Sequence, residues 1–194
     1  MKTSIIEFGQ LTDLQKDEAI ELFLDGFGHF MTFSKDNSLK KKLFLEIFSP
    51  NLFLCYIEED KVLGLIGLGT NKVRPINFRK EICQKYFGKI KGFIISKQMN
   101  AIFQKPAVKT YKELYLDTLV THPSFRKKGI GTTLINEACK YGNYESIVLE
   151  VFSKNDNAIK FYEKNGFIIK KKYKCSFMRF MGSGYPIKMI KFIL

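Results

Sequence analysis

Residues 114–134 read Leu-Tyr-Leu-Asp-Thr-Leu-Val-Thr-His-Pro-Ser-Phe-Arg-Lys-Lys-Gly-Ile-Gly-Thr-Thr-Leu. Residues 114–121 are rich in β-formers and predict a strand, and the apolar spacing that follows Gly129-Ile130-Gly131 predicts a helix over 130–141. Two glycines one residue apart leave the backbone N–H groups uncovered by any Cβ, and the helix opening there adds the positive end of its dipole. Such a turn suits a phosphate or pyrophosphate, and Arg126, Lys127 and Lys128 deepen the positive potential. The lysines precede the glycines, so the stretch does not fit the G-x-x-x-x-G-K-[ST] loop of nucleotide triphosphatases. Position 134 is Leu where a dinucleotide fingerprint needs a third glycine, and no acid follows at the ribose-binding distance. Taken alone, the stretch also fits an ordinary strand-to-helix turn with solvated lysines.

Outward from it, the chain alternates strands and helices. Residues 2–8 predict a first strand. Thr12-Asp13 offers an N-cap to a helix carrying Leu14, Ala19, Ile20, Leu22, Phe23 and Leu24, which ends near Gly26 or Gly28. Asp36-Asn37-Ser38 caps a second helix that Ser49-Pro50 stops. Residues 52–57 and 62–69 flank Glu58-Glu59-Asp60-Lys61 and predict a hairpin. Beyond residue 134, strands are expected at 146–152, 167–174 and 187–193, with a helix at 156–164 closed by Asn165-Gly166. The expected fold class is α/β (α+β), one mixed central sheet flanked by helices, in a single domain over 1–194.

Composition sets the outer bounds. The 194 residues carry a formal net charge of +13, and 45% are hydrophobic, enough for a real core. Only Arg74, Arg79, Arg126 and Arg179 among the 32 basic residues are arginine; the rest are lysine. Nucleic-acid readers lean on the bidentate arginine fork, so a lysine-dominated excess is weak support for such a partner. Nine of the thirteen excess charges fall in residues 71–113, where eleven basic residues face only Glu81 and Glu113. Helical periodicity at 77–87 and 93–104, with Gly88 and Gly92 between, makes this a basic helical insertion between two strands. Cys55, Cys83, Cys139 and Cys175 are scattered, and with only His29 and His122 besides they form no metal-ligand pattern. No apolar run reaches bilayer length and the N-terminus lacks a signal-type apolar core, so a cytoplasmic location without a membrane partner is expected.

Two segments decide the family. Leu119-Val120-Thr121-His122-Pro123-Ser124-Phe125-Arg126-Lys127-Lys128-Gly129-Ile130-Gly131 resembles the acetyl-CoA-binding motif of the GNAT superfamily, the Gcn5-related N-acetyltransferases. Asn155-Asp156-Asn157-Ala158-Ile159-Lys160-Phe161-Tyr162-Glu163-Lys164-Asn165-Gly166-Phe167 is similar to that family's second conserved segment. Their order and spacing agree with the family, and with the strands around them they span about residues 114–170.

The resemblance implies a mostly antiparallel sheet in which two parallel strands, 114–121 and 146–152, splay apart to admit the pantetheine arm of acetyl-CoA. Leu119 and Thr121 would be its backbone partners, with Val120 between them. The pyrophosphate would lie on the N–H groups of residues 127–132, drawing on Arg126, Lys127, Lys128, Gly129, Ile130, Gly131 and Thr132, with the Thr132 hydroxyl also available. Asn155 matches an asparagine that hydrogen-bonds the pantetheine arm, and equally suits a helix cap. Tyr162 matches the usual general acid, a role favoured over that of a core tyrosine on the apolar face of its helix. For the base that deprotonates the amine, Glu150 on the second strand is favoured over Asp117 on the first. Asp117 shares a pleat side with Leu119 and Thr121 if no bulge intervenes. Water is a further alternative, and His122 an outlying one.

Acetyl-CoA is thus the expected co-substrate, with no metal. The acceptor is an amine on a small molecule, an amino-acid derivative, a polyamine or a protein N-terminus, and the protein a monomer or homodimer. A nucleic-acid- or ribosome-associated module on the same scaffold is the alternative, motivated by the charge of 71–113 and by Phe78, Tyr86, Phe87, Phe93 and Phe103. The insertion is longer than the family's usual connection, and a lid or wall of the acceptor site is the role expected of it.

Overall fold

The computed structural model describes residues 3–104, 107–174 and 184–193. Seven strands form one sheet in the order β1-β2-β3-β4-β5-β7-β6. They are β1 (Thr3–Glu7), β2 (Phe53–Glu58), β3 (Lys61–Gly69), β4 (Glu113–Thr121), β5 (Ser146–Phe152), β6 (Ile168–Lys172) and β7 (Pro186–Phe192). Every neighbouring pair is antiparallel except β4–β5. The expected hairpin is β2–β3, turned by Glu59 and Asp60 with φ of 49° and 62°. Two left-handed central residues match the twist of the strands they join.

Helices cover both faces. On one face lie α1 (Asp13–Phe27), α2 (Asn37–Ile47), α3 (Lys80–Phe87) and α4 (Lys89–Phe103); on the other, α5 (Ile130–Ala138) and α6 (Asp156–Lys164). Caps fix where the first two begin. The Thr12 hydroxyl accepts from the Gln15 amide, the Gln15 side chain answers to the Thr12 amide, and Asp36 accepts from the amides of Ser38 and Leu39. Hydrogen bonds to Ser38 and the Leu39 amide hold the Asp36 carboxyl below its ordinary range.

The first core is built largely of phenylalanine. Phe23, Phe44, Phe53 and Phe78 are fully buried, and Phe78 meets Phe44, Phe33 and Phe103 at ring-centroid distances of 5.8, 6.1 and 5.5 Å. The second core joins Leu134 and Ile135 of α5 to Ile147 and Leu149 of β5.

The insertion is helical as expected, but its second helix begins at Lys89 rather than near residue 93, and Gly92 lies inside it. A Cβ on Gly92 would come within 2.5 Å of the backbone of Cys83 and Gln84. The glycine therefore marks the close crossing of α3 and α4, not a break. Phe78, Phe87 and Phe103 are used in packing, whereas Phe93 is 40% exposed with the Lys80 and Lys97 ammonium groups over its ring. The insertion braces α2 and the connection carrying Phe33, whose ring also meets Phe87 at 5.6 Å. At the other end of the sheet, edge strand β6 is exposed throughout, and its lysines are of the kind that discourage edge pairing.

Phe78→Ala, which empties the contact between the insertion and α2, is expected to cost roughly 3–5 kcal/mol of stability in a chemical denaturation experiment.

Candidate active site

The pairing of β4 with β5 is short. It runs Glu113↔Ser146, Leu114↔Ile147, Tyr115↔Val148, Leu116↔Leu149, and stops. β4 continues along β3 to Thr121, and β5 continues along β7 to Phe152. Beyond Leu116 and Leu149 each strand thus turns toward the other an edge that is unpaired among the described residues. These are the two strands expected to splay.

A bulge lies at the point of parting. Gly67 faces Thr118 and Leu68 faces Leu116, which leaves Asp117 as an extra residue in β4. A bulge shifts the alternation of side chains by one. Leu116 and Leu119 consequently pack with the α5–α6 face, while Val120 joins the core under α1. Asp117 does not share a pleat side with Leu119, because the condition for that expectation fails. Thr118, beside it, is the one residue with a buried side-chain oxygen lacking a hydrogen-bond partner among the described residues.

Asp117 instead meets Arg74. The guanidinium Nε donates to Asp117 Oδ2 at 2.9 Å, with the two side chains only 10% and 6% exposed, and it lies 4.7 Å from the centroid of the Tyr115 ring. Burial raises the Asp117 carboxyl above its ordinary range, and the ion pair with Arg74 only partly reverses this. Burial, reinforced by Asp117 and Glu150, also pushes the Tyr115 phenol up.

Sequence reasoning missed both Arg74 and Tyr115. Arg74 was one basic residue among eleven, although a turn signal precedes it. The Thr70 amide bonds to the Val73 carbonyl, the Thr70 hydroxyl accepts from the amides of Lys72 and Val73, and the chain folds back over Gly69. A Cβ on Gly69 would lie 3.1 Å from Arg74 Cδ, so the glycine makes room for the return.

Glu150 occupies the unpaired part of β5 and is exposed, with no ion-pair partner among the described residues. Lys188 is its cross-strand neighbour, yet donates to the Ala107 carbonyl at 3.2 Å. Tyr162 projects from α6 between Phe161 and Phe167, with ring centroids at 5.4 and 5.5 Å. Burial pushes its phenol up. Tyr115 senses Asp117, Glu150, Arg74 and Tyr162 electrostatically, so one neighbourhood holds all five.

The turn after β4 presents its backbone amides outward. Lys127 and Gly129 have φ of 63° and 88°, and the first intrahelical bond of α5 runs from the Thr133 amide to the Gly129 carbonyl at 2.9 Å. The amides of residues 127–132 have no hydrogen-bond acceptor among the described residues. Consecutive free N–H groups in such a turn make a concave positive surface. Arg126, Lys127, Lys128 and Thr132 are exposed around it. The Lys128 ammonium rests 4.5 Å from the Phe125 centroid, and Arg126 Nε reaches the Thr121 carbonyl at 3.5 Å.

The two glycines divide the work. A Cβ on Gly129 would meet nothing, but its φ is left-handed; a Cβ on Gly131 would come within 2.9 Å of Phe161 on α6. Ile130, between them, is buried against Gly64 of β3. His122 is a turn residue whose Nδ1 accepts from the Ser124 amide. Asn155 is the α6 cap: its Oδ1 accepts from the Ala158 amide at 3.1 Å, leaving its amide nitrogen without a partner among the described residues.

The α1 end lies over the parted strands. A Cβ on Gly26 would come within 2.8 Å of Val120, and the Phe30 ring stands 6.3 Å from Phe152 at the end of β5. Among the described residues no group of three or more His, Cys, Asp or Glu side chains could hold a metal ion, and no helix is long and apolar enough to cross a membrane.

A sheet whose single parallel pair parts beside an amide-lined turn defines a class of acyl-transfer scaffold. The model of the acetyltransferase (GNAT) family matches residues 17–167, and the chain belongs to that family. It is 44% identical over 62 residues to a probable N-acetyltransferase, san, of Drosophila melanogaster, and 41% identical over 69 residues to N-alpha-acetyltransferase 50 of Danio rerio. Those stretches cover 30% and 32% of this chain and 34% and 41% of the two relatives, so the chain matches well under half of either. The fold is similar to that of an N-acetyltransferase from Staphylococcus aureus Mu50, with a TM-score of 0.62 and 18% identity over 96% of this chain and 99% of that one.

Gly129→Ala is expected to cost about 1–2 kcal/mol through left-handed strain. Gly131→Ala is expected to cost about 1–3 kcal/mol by pushing on Phe161. Denaturant midpoints of the two variants check both values.

Proposed function

We propose that the protein is an acetyl-CoA-dependent N-acetyltransferase that moves an acetyl group directly onto a primary amine. The observation that carries this reading is the run of amides at 127–132, unpaired among the described residues, set after a strand parted from its parallel neighbour. The amides, Arg126, Lys127, Lys128 and the Thr132 hydroxyl take the pyrophosphate. Leu119, Val120 and Thr121 offer the free β4 edge to the pantetheine amides, as an added strand would be held. The amide nitrogen of Asn155, without a partner among the described residues, is a further donor to that arm, compatible with its capping role. Bound acetyl-CoA supplies the activated thioester.

The protein's own groups then manage two protons. The incoming amine must be neutral to attack, and Glu150, exposed and without an ion-pair partner among the described residues, accepts its proton directly or through water. The departing thiolate needs a proton, and Tyr162, whose phenol burial keeps protonated through the neutral range, donates it. Asp117 is the less accessible base, because it is buried and Arg74 already occupies its carboxylate. The acceptor approaches from the side of α1, between Gly26, Phe30 and Phe152. A small amine, an amino-acid derivative, a polyamine and a protein N-terminus all satisfy this chemistry.

Isothermal titration is expected to show acetyl-CoA binding that weakens about tenfold in Arg126→Ala, the loss of roughly one charge-assisted contact. Absence of binding by the wild-type protein would overturn the reading. In an amine-panel assay that follows released thiol, Tyr162→Phe and Glu150→Gln are each expected to lower kcat by about 100-fold or more. Both should leave acetyl-CoA affinity nearly unchanged.

A further inference from the structure

We infer that Arg74 and Asp117 form a positioning pair that sets where β4 leaves β5, and so places the strand edge that receives the cofactor. The inference rests on the acetyltransferase reading above and adds to it a role for the first residues of the insertion. Three observations meet at this pair. The last β4–β5 partners are Leu116 and Leu149, and the bulged residue is the next one, Asp117. Its carboxylate is held by a guanidinium that returns over Gly69 at the end of β3, and both side chains are almost fully buried. The same guanidinium lies against Tyr115, two residues before the bulge, so Arg74 touches β4 on both sides of Leu116.

A bulge adds one residue to one strand, and nothing in the β3 register alone dictates which residue is extra. Removing the contact lets the extra residue migrate, and each one-residue slip exchanges the inward and outward sets of side chains. Such a slip would turn Leu119 and Val120 over, along with the backbone groups offered to the pantetheine arm. The pair also ties up Asp117, leaving Glu150 as the carboxylate open to an acceptor amine. Arg74 is thus a positioning residue acting through Asp117 and Tyr115.

The test compares wild type with Arg74→Lys, Arg74→Met, Asp117→Asn and the double variant Arg74→Met/Asp117→Asn. Acetyl-CoA affinity is measured by calorimetry, kcat and both KM values by thiol release, and folding by circular dichroism. Arg74→Met and Asp117→Asn are expected to weaken acetyl-CoA binding and raise its KM by about tenfold or more, as misplacement of a binding edge does. The acceptor KM should move less. Arg74→Lys should recover part of the loss. The double variant should be more stable than Arg74→Met, since no unpaired carboxylate remains buried, yet should not regain wild-type affinity.

Phe78→Ala, destabilised elsewhere, should retain acetyl-CoA affinity, which separates positioning from stability. Folded Arg74→Met and Asp117→Asn proteins with wild-type affinity and KM would overturn the inference. So would an Asp117→Asn protein that binds acetyl-CoA normally but has lost kcat, since Asp117 would then be a proton acceptor. If Arg74→Met does not fold, Arg74→Lys and the near-isosteric Asp117→Asn decide the matter. A wild-type protein that fails to bind acetyl-CoA removes the acetyltransferase reading and this inference together; normal wild-type binding with insensitive variants removes only the inference.

Discussion

Four residue pairs of parallel ladder hold β4 to β5, and the sheet then opens. Backbone donors and acceptors that face a gap in the middle of a sheet are costly unless water or a ligand satisfies them. The rest of the molecule is arranged so that the opening persists. On their far sides β4 and β5 remain bonded to β3 and β7, so neither strand can swing across to close the gap. α5 starts where β4 ends, and Gly131 lets it approach Phe161 closely enough to fix α6 beside it. Tyr162 follows Phe161 on that helix, its ring packed against both Phe161 and Phe167.

The insertion accounts for most of the net charge but enters the fold through apolar contacts. Phe78, Phe87 and Phe103 fill space against α2 and the Phe33 connection, and several of its lysines sit over aromatic rings or pair with acids such as Glu46. Its excess charge is therefore spread over a solvated exterior whose interior face is structural. The only arginine it sends inward is Arg74, at its start, while Arg79 reaches the Glu46 carbonyl at the surface. Charge counts along the chain could not separate these roles, because both arginines contribute the same unit to the sum.

The legible and illegible parts of the sequence differ in range. The turn at 126–131 is a local device: glycine, helix start and basic residues all act within six positions, so residue types announce the strand-to-helix turn, and the resemblance of the surrounding segments selects its reading. Residue types likewise announce the helix caps at Thr12 and Asp36 and the β2–β3 hairpin. The bulge at Asp117 depends on how β4 registers against β3, a partner some fifty residues earlier in the chain, and strict alternation along β4 conceals it. Gly92 illustrates the opposite error. Read locally it breaks a helix; in three dimensions it lets one helix cross another, because helix formation is decided by the packed face as well as by propensity. Asn155 shows a third case, where two local readings need not compete: the carboxamide oxygen caps α6 while the nitrogen has no partner among the described residues.

The energetic sign of the Arg74–Asp117 pair bears on why it is present. Burying two charges is costly, and well-packed apolar residues in place of a buried ion pair often stabilise a protein as well or better. The raised carboxyl of Asp117 records that cost at this site. Stability alone therefore gives little reason to place an ion pair here. What an apolar pair would lack is directionality: a guanidinium binding a carboxylate selects one backbone position from several of similar energy. At a strand that must depart from its neighbour at one residue and not the next, that selectivity has a use. The burial cost then falls where register is weakest, and the two carboxylates of the opening receive different environments, one neutralised by its partner and one left exposed to solvent.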